Sequence, residues 1–348
     1  MVAAWSGEAQ ALVGRSLGEF VVREPLSRGG FGIVFRAEQP RLGREAVLKV
    51  LHTRLLGSGD SVQRFLREAQ LASRLDHPYA AHIYDFGAEA DGVTWIAMEM
   101  VRGTPLDVLL RTQGPIPLVR FVPLLDRICE VVHSAHEQGI IHRDLKPANV
   151  MVLSRSGRLL PKLLDFGIAK IEGDEVGVTS ESLPTFPAPV AADGTRKEWD
   201  DLHADTVPIE GSGRLTEAGA ALGSPLYMAP EQWNDAGAAG VPSDLYALAV
   251  LSFEALTGSP PFTGPNVIAL AHAHAGEAPP SIGPGFPPAL DAVFGRALAK
   301  KPTDRFGSAL ALAAAVREAS GLAGESAALP RLAEEIRVAA LAAAPRPI

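Results

Sequence analysis

The sequence predicts an α+β chain in which strands come first and helices follow. Three observations carry that reading. Short runs rich in Val, Phe and Ile, at Phe20 to Val22, Ile33 to Ala37 and Ala46 to Leu51, are separated by glycines that turn the chain, the pattern of antiparallel strands. From Pro105 onward apolar residues recur at helical spacing, most plainly from about Pro117 to Gln138, with Gly139 where a helix ends. A chain of 348 residues, roughly two domains' worth, can bury a core without disulfides or metals.

Met1 to Gly18 shows no strong periodicity and reads as a leader. Between the first two strands runs Leu26-Ser27-Arg28-Gly29-Gly30-Phe31-Gly32-Ile33-Val34. Glycines in such a hairpin let backbone N–H groups approach a phosphate where a Cβ would intrude. Alone it reads equally as an ordinary hairpin, but strand, turn, strand is not the order of a dinucleotide fold, where a helix follows. Ala46-Val47-Leu48-Lys49 sets a lysine in an otherwise apolar strand; by itself this is an edge lysine turned to solvent.

The next helix, capped by Asp60 or Ser61, carries an apolar stripe of Val62, Phe65, Leu66, Ala69 and Leu75. Glu68 is its one carboxylate beyond the cap, and taken alone it pairs in solvent with Arg64, four residues earlier. Val93 to Val101 reads as a buried strand. Ser243-Asp244 caps a strongly apolar helix (Leu245, Leu248, Leu251, Phe253, Leu256) that ends at Gly258. Beyond Gly307 a helix runs through Arg317, and Pro330 can open a last one in the tail.

Thirty-two basic against 40 acidic residues give a net charge of −8, which argues against nucleic acid as a partner. No basic leader precedes an apolar core and no run of about 18 apolar residues occurs, so a cytoplasmic chain without a transmembrane segment is expected. The single cysteine, Cys129, falls on an apolar helical pattern and reads as a buried, inert thiol. Positions 171–220 hold 11 acidic and three basic residues, so that stretch carries the whole net charge. With Pro184, Pro187 and Pro189 and few apolar residues, it reads as a disordered insertion.

Chemistry concentrates in Ile140 to Met151, I-I-H-R-D-L-K-P-A-N-V-M. Asp144, Lys146 and Asn149 stand on what reads as one short loop. A carboxylate to take a hydroxyl proton, a cation to face a moving phosphate and an amide oxygen to bind a metal suit phosphoryl transfer. The stretch resembles the catalytic loop of protein kinases, H-R-D-L-x-x-x-N, and 16 residues beyond Asn149 comes Asp165-Phe166-Gly167, similar to that family's second metal-binding signature. Over about residues 19 to 319 the chain resembles the eukaryotic-like (Hanks-type) bacterial serine/threonine protein kinases.

That resemblance implies a bilobal fold: a small antiparallel β-rich lobe with one key helix over 19–101, and a larger, mostly helical lobe over 102–319. The acidic stretch would then be an activation-loop insertion and 320–348 a tail. It implies ATP with Mg²⁺, or in its place Mn²⁺, held by Asn149 and Asp165, and Asp144 as the group that deprotonates a protein Ser or Thr. Lys146 would stabilise the γ-phosphoryl, and Lys49, paired with Glu68, would orient the phosphates. The nucleotide would lie against Leu26, Ser27, Gly29, Gly30, Gly32, Val34, Val47, Met98, Glu99, Met100 and Met151, with Glu99 to Val101 as the hinge under the base. Ser27 and Val47 depart from the family's usual glycine and alanine.

His142 reads as a packed structural histidine, and Arg143 resembles the arginine that receives a phosphorylated activation loop. Gly223 to Glu231 resembles the substrate-docking turn, with Ser224 in place of threonine, and Glu231 is expected to pair with Arg305. Glu231 follows Asp165 by 66 positions, roughly twice the family's interval, and Thr216 is the expected autophosphorylation site, with homodimer formation as a route to it. An inactive relative serving as a nucleotide-binding scaffold is the main alternative; a small-molecule kinase is the other.

Overall fold

Alternation of apolar and polar positions builds the first lobe. A computed structural model of the chain describes residues 7–28, 32–51, 59–155, 158–166 and 225–322. Strands β1 (Ser16–Leu17), β2 (Phe20–Arg28), β3 (Gly32–Gln39), β4 (Arg44–Leu51), β5 (Ile83–Ala88) and β6 (Thr94–Glu99) form one antiparallel sheet in the order β1-β2-β3-β4-β6-β5. Successive side chains of a strand point to opposite faces. On one face Phe35, Leu48, Val50, Trp95 and Ala97 close a core of their own with Phe20 and Val22. On the other, the register sets Val34 opposite Lys49, Lys49 opposite Ile96 and Val47 opposite Met98, and Val47, Ile96 and Met98 join the core of the larger lobe.

The described residues of the leader, 7–18, pack on this lobe. Helix α1 (Gly7–Leu12) buries Ala9 and Leu12 against the first core, and Leu17 on β1 is fully buried. A helix of six residues is too short to announce itself by periodicity, and only tertiary packing holds it. Helix α2 (Gly59–Ala72) crosses between β4 and β5 with Phe65 and Ala69 buried. It begins at Gly59, so Asp60 and Ser61 lie in its first turn and not at the cap.

The larger lobe starts with β7 (Thr104–Pro105) and helices α3 (Leu106–Gln113) and α4 (Leu118–Glu137). Strands β8 (Val150–Arg155) and β9 (Arg158–Leu163) pair with β7 in a second antiparallel sheet. Helices α5 (Pro230–Asn234), α6 (Val241–Thr257), α7 (Val267–Gly276), α8 (Ala289–Ala297) and α9 (Ala309–Ala319) follow. Helix α4 ends as its sequence requires: Gly139 takes φ 74°, and Ile140 N–H returns to Ala135 O at 2.9 Å. Its apolar stripe, Cys129 included, is buried.

Helix α6 is buried almost all round, the mark of a core helix. It starts at Val241 with Gly240 at the cap, which puts Ser243 and Asp244 inside its first turn. No described helix is long and apolar enough to cross a membrane. The expectations for Gly29, Gly30, Gly167, the 171–220 insertion with Thr216, Gly223, Ser224 and the tail helix at Pro330 fall outside the described residues.

Candidate active site

The loop after α4 is held from beneath by one carboxylate. Asp244, 1% exposed, accepts the backbone N–H of His142 (2.8 Å) and of Arg143 (2.9 Å), and His136 Nε2 lies 2.8 Å from it. This explains why Asp244 is not a helix cap: its oxygens are already taken by the loop. Arg143 is thereby held at φ 61°, a left-handed conformation uncommon outside glycine.

His142 is buried and its two ring nitrogens have distinct partners. Nε2 lies 2.9 Å from Leu164 O, an acceptor, so Nε2 carries the proton, and Nδ1 accepts Asp144 N–H at 3.3 Å. Burial pushes its pKa below the ordinary 6.5, so the neutral ring is the folded form. His142 ties the catalytic loop to the strand end before Asp165 and packs on Phe166 at 4.7 Å between ring centroids, a structural role.

Above this floor the candidate groups converge. Lys146 Nζ lies 2.8 Å from Asp144 Oδ2. Asn149, closing a 3₁₀ turn over Pro147–Asn149, donates Nδ2–H to Asp144 O (2.8 Å) and Asp144 Oδ2 (3.0 Å), while its backbone O accepts Leu164 N–H at 2.8 Å. Asp165, at φ 50°, presents Oδ2 to Lys49 Nζ at 3.0 Å. Lys49 and Asp165 come from different lobes, so the crevice between the lobes is where these side chains meet.

The expected Lys49–Glu68 pair is not formed. Glu68 Oε1 lies 3.1 Å from Arg143 Nη1, in the opposite lobe, while the Lys49 ammonium bonds Asp165. The carboxylate on α2 is drawn to a guanidinium that the Asp244-held loop already presents, and Lys49 is already neutralised by Asp165.

Of the nucleotide-pocket candidates, Val34 and Val47 lie on the crevice face of the sheet, Met98 is 7% exposed behind them, and Met151 lies in the larger lobe, on β8, where it pairs with Pro105 of β7. Leu26 is 45% exposed at the outer end of β2, and Ser27 pairs with Val34. A Cβ on Gly32 would collide with Val50 O, so the close approach of β3 and β4 requires glycine there. Glu99 ends β6, and Met100 follows it.

Toward the docking turn, Glu231 and Arg305 form the expected pair, with both contacts at 2.7 Å. Burial raises the Glu231 carboxyl pKa, but the Arg305 guanidinium outweighs it and the pKa lies below 4.5. Arg305 spends its other N–H groups on Ala299 O, Pro242 O and Lys300 O. Two links escaped the sequence reading. Tyr227 O–H donates to Glu254 Oε2 at 2.6 Å, and Lys162 Nζ joins Glu99 Oε2 at 2.6 Å. A signal for the second existed: Lys162 is a charge in an apolar strand, as Lys49 is.

Two lobes with this loop and this lysine define the protein kinase class, and comparison with known proteins agrees. The protein kinase domain family matches residues 20–192, ending inside the acidic stretch, and the chain belongs to that family. It is similar to the serine/threonine-protein kinase pkn3 of Myxococcus xanthus, 37% identical over 309 residues, 87% of this chain and 50% of that protein. It is also similar to the serine/threonine-protein kinase PknE of Mycobacterium bovis, 33% identical over 322 residues, 92% of this chain and 49% of that protein. The chain spans about half the length of these relatives. A crystal structure of the Mycobacterium tuberculosis PknI kinase domain superimposes with a TM-score of 0.58 at 26% identity, covering 88% of this chain and 98% of that one.

Proposed function

We propose that the chain is a serine/threonine protein kinase, transferring the γ-phosphoryl of ATP to hydroxyls of protein substrates and of its own activation loop in bacterial signalling. The observation that carries this reading is the convergence at the crevice: Lys49 bonds Asp165, Leu164 beside Asp165 donates to Asn149 O, and Asn149 and Lys146 both bond Asp144. Little covalent chemistry falls to the protein in phosphoryl transfer, so holding these groups in place is most of the catalysis.

Asn149 and Asp165 suit a hard divalent cation. Asn149 gives both its described N–H contacts to Asp144, which turns Oδ1 away as an oxygen donor, and Asp165 Oδ1 makes no hydrogen bond among the described residues. Mg²⁺, or Mn²⁺ in its place, would bind through those oxygens and neutralise phosphate charge. Lys49, beside Asp165, meets the phosphate tail. Asp144, aligned by Asn149, accepts the proton of the substrate hydroxyl, and Lys146 faces charge building on the moving phosphoryl.

Radiolabelled phosphate transfer from ATP to the chain itself or to a basic protein tests the proposal. The Asp144→Asn variant should lose at least about a hundredfold in rate while keeping nucleotide affinity. Background signal from both proteins would favour the inactive scaffold.

A further inference from the structure

Where the start of the hinge meets the larger lobe, three segments meet at one ammonium. Lys162, on β9 of the larger lobe and 15% exposed, donates from Nζ to Glu99 Oε2 at 2.6 Å and to Ala80 O at 2.8 Å. Glu99 begins the hinge, and it is fastened a second time. Its backbone N–H bonds His82 O at 2.8 Å, and its Oε2 accepts His82 N–H at 3.3 Å. The segment Tyr79 to Ala81 in turn lies along β9, with Leu163 N–H to Tyr79 O at 2.7 Å and Ala81 N–H to Leu163 O at 2.9 Å. Arg127 of α4 holds Tyr79 through its hydroxyl at 3.2 Å.

We propose that Lys162 is a positioning residue for the nucleotide hinge. It touches neither nucleotide nor reacting atoms. By joining the hinge carboxylate to the carbonyl of Ala80, it fixes the height and tilt of the peptide groups at Glu99 to Val101 against the larger lobe. Those are the groups that meet the base in the reading above, on which this inference rests. The same link anchors residues 79–82, which follow α2, to the larger lobe. A neutral residue at 162 would leave a quarter-exposed carboxylate at Glu99 and the Ala80 carbonyl without their shared donor.

Adenosine, which has a base and no phosphates, probes the hinge alone, and full-length chain is titrated with it by calorimetry. Lys162→Met should weaken adenosine binding about tenfold, as expected for loss of a charged hydrogen bond, and raise KM for ATP alike, with kcat at saturating ATP within about twofold of wild type. Lys162→Arg, which keeps both donations, should stay near wild type. Should Lys162→Met fail to fold, Lys162→Gln removes the same charge with a shorter polar side chain and should show the same shift. Unchanged adenosine affinity in the variants, a fall in kcat at unchanged KM, or no rescue by arginine overturns the inference. Wild-type chain that binds no adenosine and no ATP overturns the proposed function with it.

Discussion

Arg143 and Asp165 bracket the crevice in left-handed backbone conformations, at φ 61° and 50°, each costing about 1–2 kcal/mol for a residue with a Cβ. Such strain persists where surroundings over-determine it, and here Asp244 holds the first residue while Lys49 bonds the second. Arg305 is the opposite case, fully buried with its donors satisfied. Replacing it by methionine leaves the partly buried Glu231 carboxylate without its ion partner, with Ser243 Oγ still donating to it, and a denaturant titration should show a loss of about 3 kcal/mol. Cys129 is fully buried and burial pushes its thiol pKa up. The native chain should resist alkylation at pH 8, and rapid modification without unfolding would contradict that burial.

At the scale of elements, α6 is the pillar on which the catalytic loop stands. Asp244→Ala removes a buried carboxylate that accepts two backbone N–H groups and contacts a histidine, and should lower stability by about 3 kcal/mol. Phosphoryl transfer should fall further than stability alone explains, because the loop loses its register; kcat measured well below the melting temperature separates the two effects. Legibility also varied by element. Helix α4 was readable to within a residue at each end, since a long apolar stripe and a terminal glycine state their own limits. Helix α1 was not, because its six residues are helical only against the sheet they cover.

For the whole molecule, two buried imidazoles set a dependence of stability on pH. His274, fully buried beside Lys300 and hydrogen-bonded to Tyr246, has its pKa pushed down from 6.5 to about 3, by burial first and then by Lys300; His142 shifts the same way. Unfolded histidines take up protons near pH 6.5 while these stay neutral, so the unfolded state binds more protons and stability falls as pH drops below 6.5. Glu130 and Glu254, whose carboxyl pKa values burial raises above 4.5, act with the opposite sign. Melting temperatures at pH 7.5 and 5.0 should therefore differ less in His274→Gln than in wild type. ATP with Mg²⁺ at a hundred times its dissociation constant should stabilise the folded chain by about 2.7 kcal/mol, seen as a higher melting temperature.

The sequence by itself determined which chemical groups this protein has and in what order. A lysine in an apolar strand, an Asp, Lys and Asn within six residues, and a second Asp 16 positions on are covalent facts, and their types suit phosphoryl transfer. The strand alternation and the stripe of α4 follow from local periodicity for the same reason. Only the tertiary structure decided the partners. Glu68 bonds Arg143 and not Lys49, Lys162 clamps Glu99, and Asp244 holds a loop a hundred residues away. Which ion meets which depends on distances of a few ångströms between elements far apart in the chain, and those are fixed by how lobes and helices pack.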